Sequence, residues 1–306
     1  MKVLSFLLTL ILAAVAQARQ WTSIDGRKLE AEFVSSSDNK VILKRDADGE
    51  VFTLPVDKLS EADREWIEDN KDKPAPTEPP AKMEGPAAEL LTGSWVLREE
   101  KGLPYTIFGA ADLDANKKYP LVISLHGKSN NDVNGKQKQY LKHFEQDARY
   151  QKNPAILVAP LCYQPHGGTG GGWSAKPGEQ TIDLIEKLVK DLPVDENRIY
   201  LLGYSMGGGG TIHLVTSEPK LFAAAIVIAG WASGDASKVF KKVPCWAFHG
   251  GKDDVVDPSS IQELAEDLKR VDSFKYTEFP DDGHSVWGKS LNSEATHEWL
   301  FSQTKK

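Results

Sequence analysis

The sequence predicts an α/β fold with a mostly parallel sheet and helices on both faces, preceded by a small all-β module. From residue 87 to residue 306, apolar runs alternate with helical patterns, which is typical of a parallel sheet covered on both sides. Residues 19–71 instead alternate apolar and polar side chains in steps of two, which indicates short antiparallel strands. Residues 72–86 are rich in proline and charge, so we expect a semi-rigid linker between the two parts.

The chain begins with the pattern of a secretory signal peptide. Met1-Lys2 precedes an apolar stretch over residues 3–15, and Ala16-Gln17-Ala18 is a small-residue cleavage site, which assigns residues 1–18 to the signal. The apolar stretch is too short to span a bilayer, and no other long apolar run follows it. We therefore expect a secreted or periplasmic protein with no membrane span.

The formal net charge of −7 argues against a nucleic-acid partner, because proteins that bind nucleic acids need a basic face.

The two cysteines are predicted to be buried free thiols. Cys162 follows the predicted strand 155–159, whereas Cys245 begins the predicted strand 245–248. In a parallel sheet these positions lie at opposite edges, too far apart for a disulfide.

Residues 19–71 predict a small sheet closed by one helix. The alternating apolar positions are Ala31, Phe33, Val41, Leu43, Val51 and Leu54. Turns are expected at Asp38-Asn39 and at 46–49, and the second is too short for a calcium loop. Ser60 to Asp63 forms a capping box, which opens a short helix that returns Trp66 and Ile67 to the strands.

This part of the chain resembles the SH3-like homology domain first described in a yeast actin-assembly adaptor. The resemblance rests on Trp21, Gly26, Ala31, Phe33 and the sequence Lys58-Leu59-Ser60. In the adaptor such modules bind short peptides, so a peptide partner is one expectation here. A spacer or surface-docking role is an equal alternative.

The larger domain is predicted to contain six strands and five helices. The strands are 121–125, 155–159, 199–202, 223–228, 245–248 and 275–279. The helices are near 137–149, 180–191, 208–215, 259–271 and 292–302. In such sheets the functional residues cluster beyond the carboxyl ends of the strands.

A candidate nucleophile lies where the strand 199–202 turns sharply into a helix. The sequence Gly203-Tyr204-Ser205-Met206-Gly207 places a serine hydroxyl at a tight turn, clear of the sheet. Gly203 and Gly207 leave room where the helix and strand cross. The backbone N–H of Met206, at the helix start, points at an oxyanion forming beside Ser205.

Two later strand exits carry an acid and a base. Asp253 follows the strand 245–248, and His284 follows the strand 275–279, so the order is serine, acid, base. An aspartate or a histidine alone is common in loops and indicates no function. Ser205, Asp253 and His284 together, in this order at three strand exits, predict a catalytic triad. Asp254 and Asp257 are close competitors for the acid, although Asp257 also fits the N-cap of the next helix.

The second oxyanion donor is expected after the strand 121–125. The backbone N–H of Lys128 is the candidate, since Gly127 lets the loop turn. His166-Gly167-Gly168 imitates a lipase oxyanion loop, but it follows the next strand along, so we discount it.

Together these motifs resemble the phospholipase/carboxylesterase branch of the α/β-hydrolases, with feruloyl-esterase-like and prolyl-oligopeptidase-like secreted enzymes as relatives. The matching segments are Leu125-His126-Gly127, 203–208, His249-Gly250-x-x-Asp253 and 283–287. The resemblance implies an α/β-hydrolase fold, with Ser205, Asp253 and His284 as the catalytic set, and it selects Asp253 as the acid. Relatives often continue His-Gly as a small residue and Gly-Glu-Arg-Gly, whereas this chain has 128–131 as Lys-Ser-Asn-Asn.

Trp173, Trp231 and Trp287 lie just beyond strand ends and are candidates for lining a substrate cleft, with core packing as an equal alternative for each. The seven histidines lack metal-ligand spacing, so no metal or cofactor is predicted. The favoured function is a secreted serine esterase that acts on small or polysaccharide-linked esters. A serine peptidase and a binding protein that uses its N-terminal module are the alternatives.

Overall fold

The computed structural model describes residues 19–48, 50–71, 81–128, 137–163 and 172–305. The predicted signal peptide, Gly49 of the second turn, most of the linker and His166-Gly167-Gly168 lie outside these ranges. The chain divides into two compact units, residues 1–79 and 80–306.

The first unit contains a four-stranded antiparallel sheet in the order β1-β2-β3-β4. Its strands are β1 (Arg19–Thr22), β2 (Lys28–Ser37), β3 (Lys40–Arg45) and β4 (Val51–Pro55). Asp38 and Asn39, between β2 and β3, have φ angles of 48° and 61°. Asp and Asn tolerate this left-handed region, so the turn forms where the sequence predicts it.

A helix, α1 (Glu61–Asn70), closes this unit. The hydroxyl of Ser60 accepts a hydrogen bond from the Asp63 backbone N–H at 3.3 Å, which caps the helix start. Trp66 packs edge-on against Trp21 and Phe33, with ring centroids 5.4 Å apart in both pairs. The buried apolar residues of the unit are Trp21, Ala31, Phe33, Val41, Leu43, Leu59 and Ile67.

The second unit is built on an eight-stranded sheet in the order β12-β11-β10-β9-β7-β8-β6-β5. The strands are β5 (Val96–Glu100), β6 (Leu103–Phe108), β7 (Tyr119–Leu125), β8 (Ile156–Pro160), β9 (Val194–Tyr204), β10 (Ala224–Ile228), β11 (Cys245–Gly250) and β12 (Phe274–Phe279). All neighbours from β8 to β12 are parallel, whereas β6 is antiparallel to both β5 and β8. The mostly parallel sheet was therefore correctly predicted.

The sequence pattern does not predict β5 and β6. β5 is an edge strand with three consecutive charged residues, so it lacks the continuous apolar run of a buried strand. In β6 the apolar run is interrupted by Pro104.

Helices cover both faces of this sheet. They are α2 (Gly85–Leu90), α3 (Lys142–Glu145), α4 (Asp147–Lys152), α5 (Lys176–Asp191), α6 (Met206–Ser217), α7 (Ala236–Val239), α8 (Ser259–Asp267), α9 (Trp287–Asn292) and α10 (Glu294–Phe301). Leu121 and Ile123 of β7 face one hydrophobic core with Leu184 of α5. Val122 faces the other core, with Leu300 of α10.

The helix predicted near 137–149 is divided by one extended residue, Gln146, whose ψ of 128° separates α3 from α4. The helix predicted near 292–302 corresponds to α10, and α9, which Ser293 with ψ of 122° separates from it, was not predicted. The helix predicted over 259–271 ends at Asp267.

The last residues of the predicted linker, 72–86, overlap the start of the second unit. The Ala81 backbone N–H donates to Asp114 Oδ1, and the Ala115 backbone N–H donates to the Ala81 carbonyl. Residues from Ala81 onward are therefore held in the second unit.

Cys162 and Cys245 are both buried in the second unit. Within the described ranges, no helix combines the length and apolar character needed to cross a membrane.

Candidate active site

Ser205 lies at a strained turn between β9 and α6. Its φ of 56° and ψ of −119° place a non-glycine residue in a sparsely populated region, and strain of this kind is common at catalytic serines. The Ser205 backbone N–H donates to the carbonyl of Ile228, the last residue of β10, at 2.8 Å. The neighbouring strand therefore helps to fix the turn.

Glycines allow the backbone to pack closely around this turn. A Cβ on Gly203 would lie 2.1 Å from the Gly207 carbonyl oxygen, and a Cβ on Gly207 would lie 1.9 Å from the Leu125 carbonyl oxygen. Neither contact is feasible without a shift of backbone. The room expected at Gly203 and Gly207 is thus required by the observed packing of α6 against β7 and β9.

Ser205, His284 and Asp253 form a continuous hydrogen-bonded chain. His284 Nε2 lies 2.9 Å from Ser205 Oγ, and His284 Nδ1 lies 2.8 Å from Asp253 Oδ2. The Asp253 side chain is fully buried, whereas that of His284 is 15% exposed. This geometry can transfer a proton from the serine to the imidazole and hold the imidazole in one tautomer.

The Asp253 carboxylate is also held by its own loop. Oδ1 accepts hydrogen bonds from the backbone N–H groups of Val255 and Val256, both at 3.0 Å. Burial alone would raise the pKa of Asp253, but the hydrogen bonds from Val256, His284 and Val255 together hold that pKa below its ordinary value. The carboxyl group is therefore ionised at neutral pH.

The two competing aspartates lie elsewhere. Asp254 is exposed to solvent. Asp257 accepts a hydrogen bond from the backbone N–H of Ser259, the first residue of α8, at 2.8 Å. This bond lowers the pKa of Asp257 and stabilises the helix start.

The loop after β7 contacts Ser205. A Cβ on Gly127 would lie 3.4 Å from the Ser205 Cβ, so Gly127 packs directly against the serine, and Lys128 is the next residue. On the other side of Ser205, Met206 begins the 12-residue helix α6, and the first N–H groups of a helix have no partner within it. Met206 therefore directly follows Ser205, and Lys128 follows the glycine that packs against it; their role as oxyanion donors stays a prediction.

His126 holds this loop in place. Its Nε2 accepts from the Cys162 backbone N–H at 2.9 Å, so its Nδ1 carries the hydrogen that is donated to the Gly127 carbonyl at 2.7 Å. The ring is fully buried, and burial lowers the pKa of His126 to about 4. His126 is therefore neutral, and it ties the loop after β7 to the loop after β8.

The three candidate tryptophans have different surroundings. Trp173 is only 1% exposed, and its Nε1–H donates to the His126 carbonyl at 2.9 Å, which favours the packing alternative for this residue. Trp231 is 40% exposed, and its ring lies beside Gly209 in the first turn of α6. Trp287 is half-buried.

An aromatic cluster behind His284 is not anticipated by the sequence reasoning. The ring of Tyr204 lies 5.0 Å from that of His284, and Tyr140 lies 5.5 Å from Tyr204 and 5.4 Å from Trp287, measured between centroids. Tyr204 could have been assigned to the site from the sequence, because it directly precedes Ser205. Nothing in the sequence connects Tyr140 with this site.

His249 is a second residue whose position the motif alone does not explain. It is the last but one residue of β11, it is fully buried, and its Nε2 lies 3.1 Å from Asp253 Oδ2. In the described parts of the chain, no cluster of three or more His, Cys, Asp or Glu side chains is arranged to bind a metal ion.

Comparisons with known proteins agree with this architecture. Residues 175–298, which include Ser205, Asp253 and His284, match the Phospholipase/Carboxylesterase family model. Residues 12–74 match the model of SLA1 homology domain 1. A solved structure of a thermostable esterase superposes with a TM-score of 0.61 at 29% identity, covering 71% of this chain and 64% of that chain.

Two curated relatives are also similar to this chain. One is a probable feruloyl esterase C of Aspergillus niger, 32% identical over 171 residues, which are 54% of this chain and 60% of that protein. The other is a bifunctional acetylxylan esterase/xylanase of Neocallimastix patriciarum, 29% identical over 169 residues, which are 54% of this chain and 24% of that protein. The chain therefore spans less than two thirds of either relative. The resemblance to prolyl-oligopeptidase-like enzymes stays a prediction.

The chain thus combines an α/β-hydrolase domain, in which residues 175–298 match the phospholipase/carboxylesterase family, with an N-terminal module that matches SLA1 homology domain 1.

Proposed function

We propose that this protein is a secreted serine hydrolase that cleaves carboxylic esters through an acyl-enzyme. The observation that carries the proposal is the hydrogen-bonded chain from Ser205 Oγ through His284 to the buried Asp253 carboxylate. The family match and the esterase names of the relatives support the reaction class. The pattern of residues 1–18 supports secretion.

In the first half of the reaction, Ser205 Oγ attacks the ester carbonyl carbon while its proton passes to His284 Nε2. The Asp253 carboxylate stabilises the resulting imidazolium. When the tetrahedral intermediate collapses, the bond to the alcohol breaks, and the alcohol oxygen takes the proton from His284. In the second half, a water molecule repeats these steps on the acyl-serine and releases the carboxylic acid.

The negative charge of the intermediate falls on the former carbonyl oxygen. We assign the backbone N–H groups of Met206 and Lys128 as its donors, because Met206 directly follows Ser205 and Lys128 follows Gly127, which packs against Ser205. The positive end of the α6 dipole adds to their effect. His126 supports this role, since it holds the carbonyl of the Gly127 peptide and thereby orients the next N–H group.

The substrate class that we propose is an acyl ester attached to a plant or algal polysaccharide. Feruloyl and acetyl groups are the acyl parts that the names of the relatives suggest. Trp231, with its exposed ring near the start of α6, and Trp287, beside Tyr140, are the residues we assign to contact the acyl or sugar group.

The decisive experiment uses short p-nitrophenyl esters and a fluorophosphonate probe, which reacts covalently with activated serines. We expect the wild-type protein to hydrolyse the esters and to be labelled at one site. Ser205→Ala should lose both properties while keeping its fold by circular dichroism. An unlabelled wild type, or equal labelling of the variant, would refute the enzyme assignment.

For the N-terminal module we propose docking to the surface that carries the substrate. Its sheet has a groove of about 590 Å³, lined by apolar side chains that include Ile24, Leu29 and Phe52 and by the basic Lys28 and Lys58. A chain that begins at Pro80 should keep its kcat on a soluble ester and lose activity only on polymeric substrate. Equal losses on both substrates would contradict docking.

A further inference from the structure

The carboxylate of Asp253 is shared between two histidines. Oδ2 lies 2.8 Å from His284 Nδ1 and 3.1 Å from His249 Nε2, and the side chains of His249 and Asp253 are both fully buried. His249 Nε2 also lies 3.0 Å from the Val256 carbonyl oxygen. His249 therefore contacts both the acid and the loop that holds it.

The surroundings of His249 identify its Nε2 as a hydrogen-bond donor. Both atoms near Nε2, the Val256 carbonyl oxygen and Asp253 Oδ2, can only accept, because the carboxylate is ionised. A lone pair on Nε2 would face two acceptors, which is unfavourable. Nε2 therefore carries a hydrogen whether the ring is neutral or protonated, and Nδ1 has no hydrogen-bond partner among the described residues.

Asp253 receives three hydrogen bonds, two from backbone N–H groups to Oδ1 and one from His284 to Oδ2. His249 Nε2–H donates to the Val256 carbonyl and lies 3.1 Å from Oδ2, so its N–H group also attracts that oxygen electrostatically. A carboxylate group with donors on both oxygens loses several bonds at once if it rotates. Its plane is thus fixed relative to the ring of His284.

We propose that His249 is a positioning residue, which holds the Asp253 carboxylate in the orientation that orients His284 toward Ser205. This inference rests on the proposed ester-hydrolase function, because it assigns His249 a part in that reaction. His249 does not touch the serine or its substrate. It acts through Asp253 alone.

The electrostatic influence of other charged groups near His249 must be distinguished from the effect of His249 on Asp253. Asp257 and Glu278 interact electrostatically with His249, and Glu278 is its register partner on β12. Glu278 accepts hydrogen bonds from Gln262 and Tyr276 and does not reach the triad. Glu278→Gln is therefore a control for the general field around His249, and it should leave the pH profile of kcat/KM unchanged.

The chain also contains a matched control for the loss of a buried histidine. His297 on α10 is buried, its Nε2 donates to the Leu291 carbonyl at 2.7 Å, and its Nδ1 lacks a partner among the described residues. It shares these features with His249 but has no contact with the triad. His297→Leu should lower the melting temperature and leave kcat per folded molecule unchanged.

The test compares His249→Leu, which removes the donor, with His249→Gln, whose amide N–H reaches about as far as Nε2. Active protein is counted by the end point of fluorophosphonate labelling. For His249→Leu we expect kcat on p-nitrophenyl acetate to fall about 10- to 100-fold, the range for a displaced catalytic group, with KM within about twofold. The acid limb of its pH–kcat/KM profile should move to higher pH, because a carboxylate that loses the neighbouring N–H group attracts the His284 proton more strongly. His249→Gln should stay within about threefold of wild type.

A second readout does not depend on turnover. We expect the proton between His284 and Asp253 to give a far-downfield NMR resonance in the full-length protein, and this resonance should shift or broaden in His249→Leu and not in His297→Leu. Wild-type kcat and pH profile in His249→Leu, equal impairment of His249→Gln, or an unchanged resonance would each overturn the proposal. An unreactive wild type would refute the ester-hydrolase function, while the resonance would still decide the role of His249.

Discussion

Ser205 and Asp253, the proposed nucleophile and acid, are held in place by different means. The turn around Ser205 is shaped by backbone contacts, where Gly203 and Gly207 leave no space for a single extra carbon. Asp253 is held by hydrogen bonds to its two oxygens. The first region should therefore be sensitive to added volume, and the second to the loss of charge or of a hydrogen-bond acceptor.

The largest expected effect is a chemical change at the acid. Asp253→Asn should lower kcat by about three to four orders of magnitude, because the amide cannot hold His284 in its working tautomer or stabilise the imidazolium. Steady-state kinetics on a p-nitrophenyl ester would measure this loss. Asp254→Asn is the control, and it should stay within about tenfold because Asp254 is exposed. The opposite ranking of the two variants would show that the acid is misassigned.

A steric change at the nucleophile turn should act on stability instead. Gly207→Ala would place a methyl group 1.9 Å from the Leu125 carbonyl oxygen, so backbone must move, and we expect a loss of about 4 kcal/mol in the free energy of unfolding. Gly288→Ala in α9 is the matched control, since its Cβ would meet no atom within 4 Å. That variant should unfold at the wild-type urea concentration or slightly above it. Equal stability of both variants would mean that the turn can relax.

The loop after β7, which contains His126, should give a smaller effect on stability that depends on pH. The pKa of His126 is about 4 in the folded protein and 6.5 ordinarily, so between these values the unfolded chain binds a proton that the folded protein does not. The free energy of unfolding should therefore fall as the pH drops from about 6.5 to about 4, by about 3 kcal/mol from this residue. Urea unfolding of wild type and His126→Asn at several pH values would measure the difference, and parallel curves would contradict it.

The central part of the fold was predictable because its physical cause is local in sequence. The inner strands β7, β8, β10 and β11, and the second half of β9, are buried on both faces, so each is a largely apolar run. The edge strand β5 is half exposed and charged, and its position depends on its pairing with β6. A pairing of this kind leaves little trace in the sequence.

The same distinction applies to the site. Ser205, Asp253 and His284 were found because each follows a recognisable strand and the order matches a known chemistry. Trp173 has the same local signature, but its ring turns inward to contact His126, which depends on where the following helix packs. The second contact of Asp253, with His249, depends on a side-chain rotamer and so is invisible in a motif.

The position of β12 has a consequence for how this domain loses function. β12 is an edge strand that pairs only with β11, and His284 lies just beyond it, whereas Ser205 directly follows β9, which pairs on both sides. Local opening at this edge would carry His284, the proposed base, away and leave Ser205 on an intact scaffold. We expect amide hydrogens of β12 to exchange faster than those of β9. Heating should then abolish ester turnover below the temperature at which the whole domain unfolds.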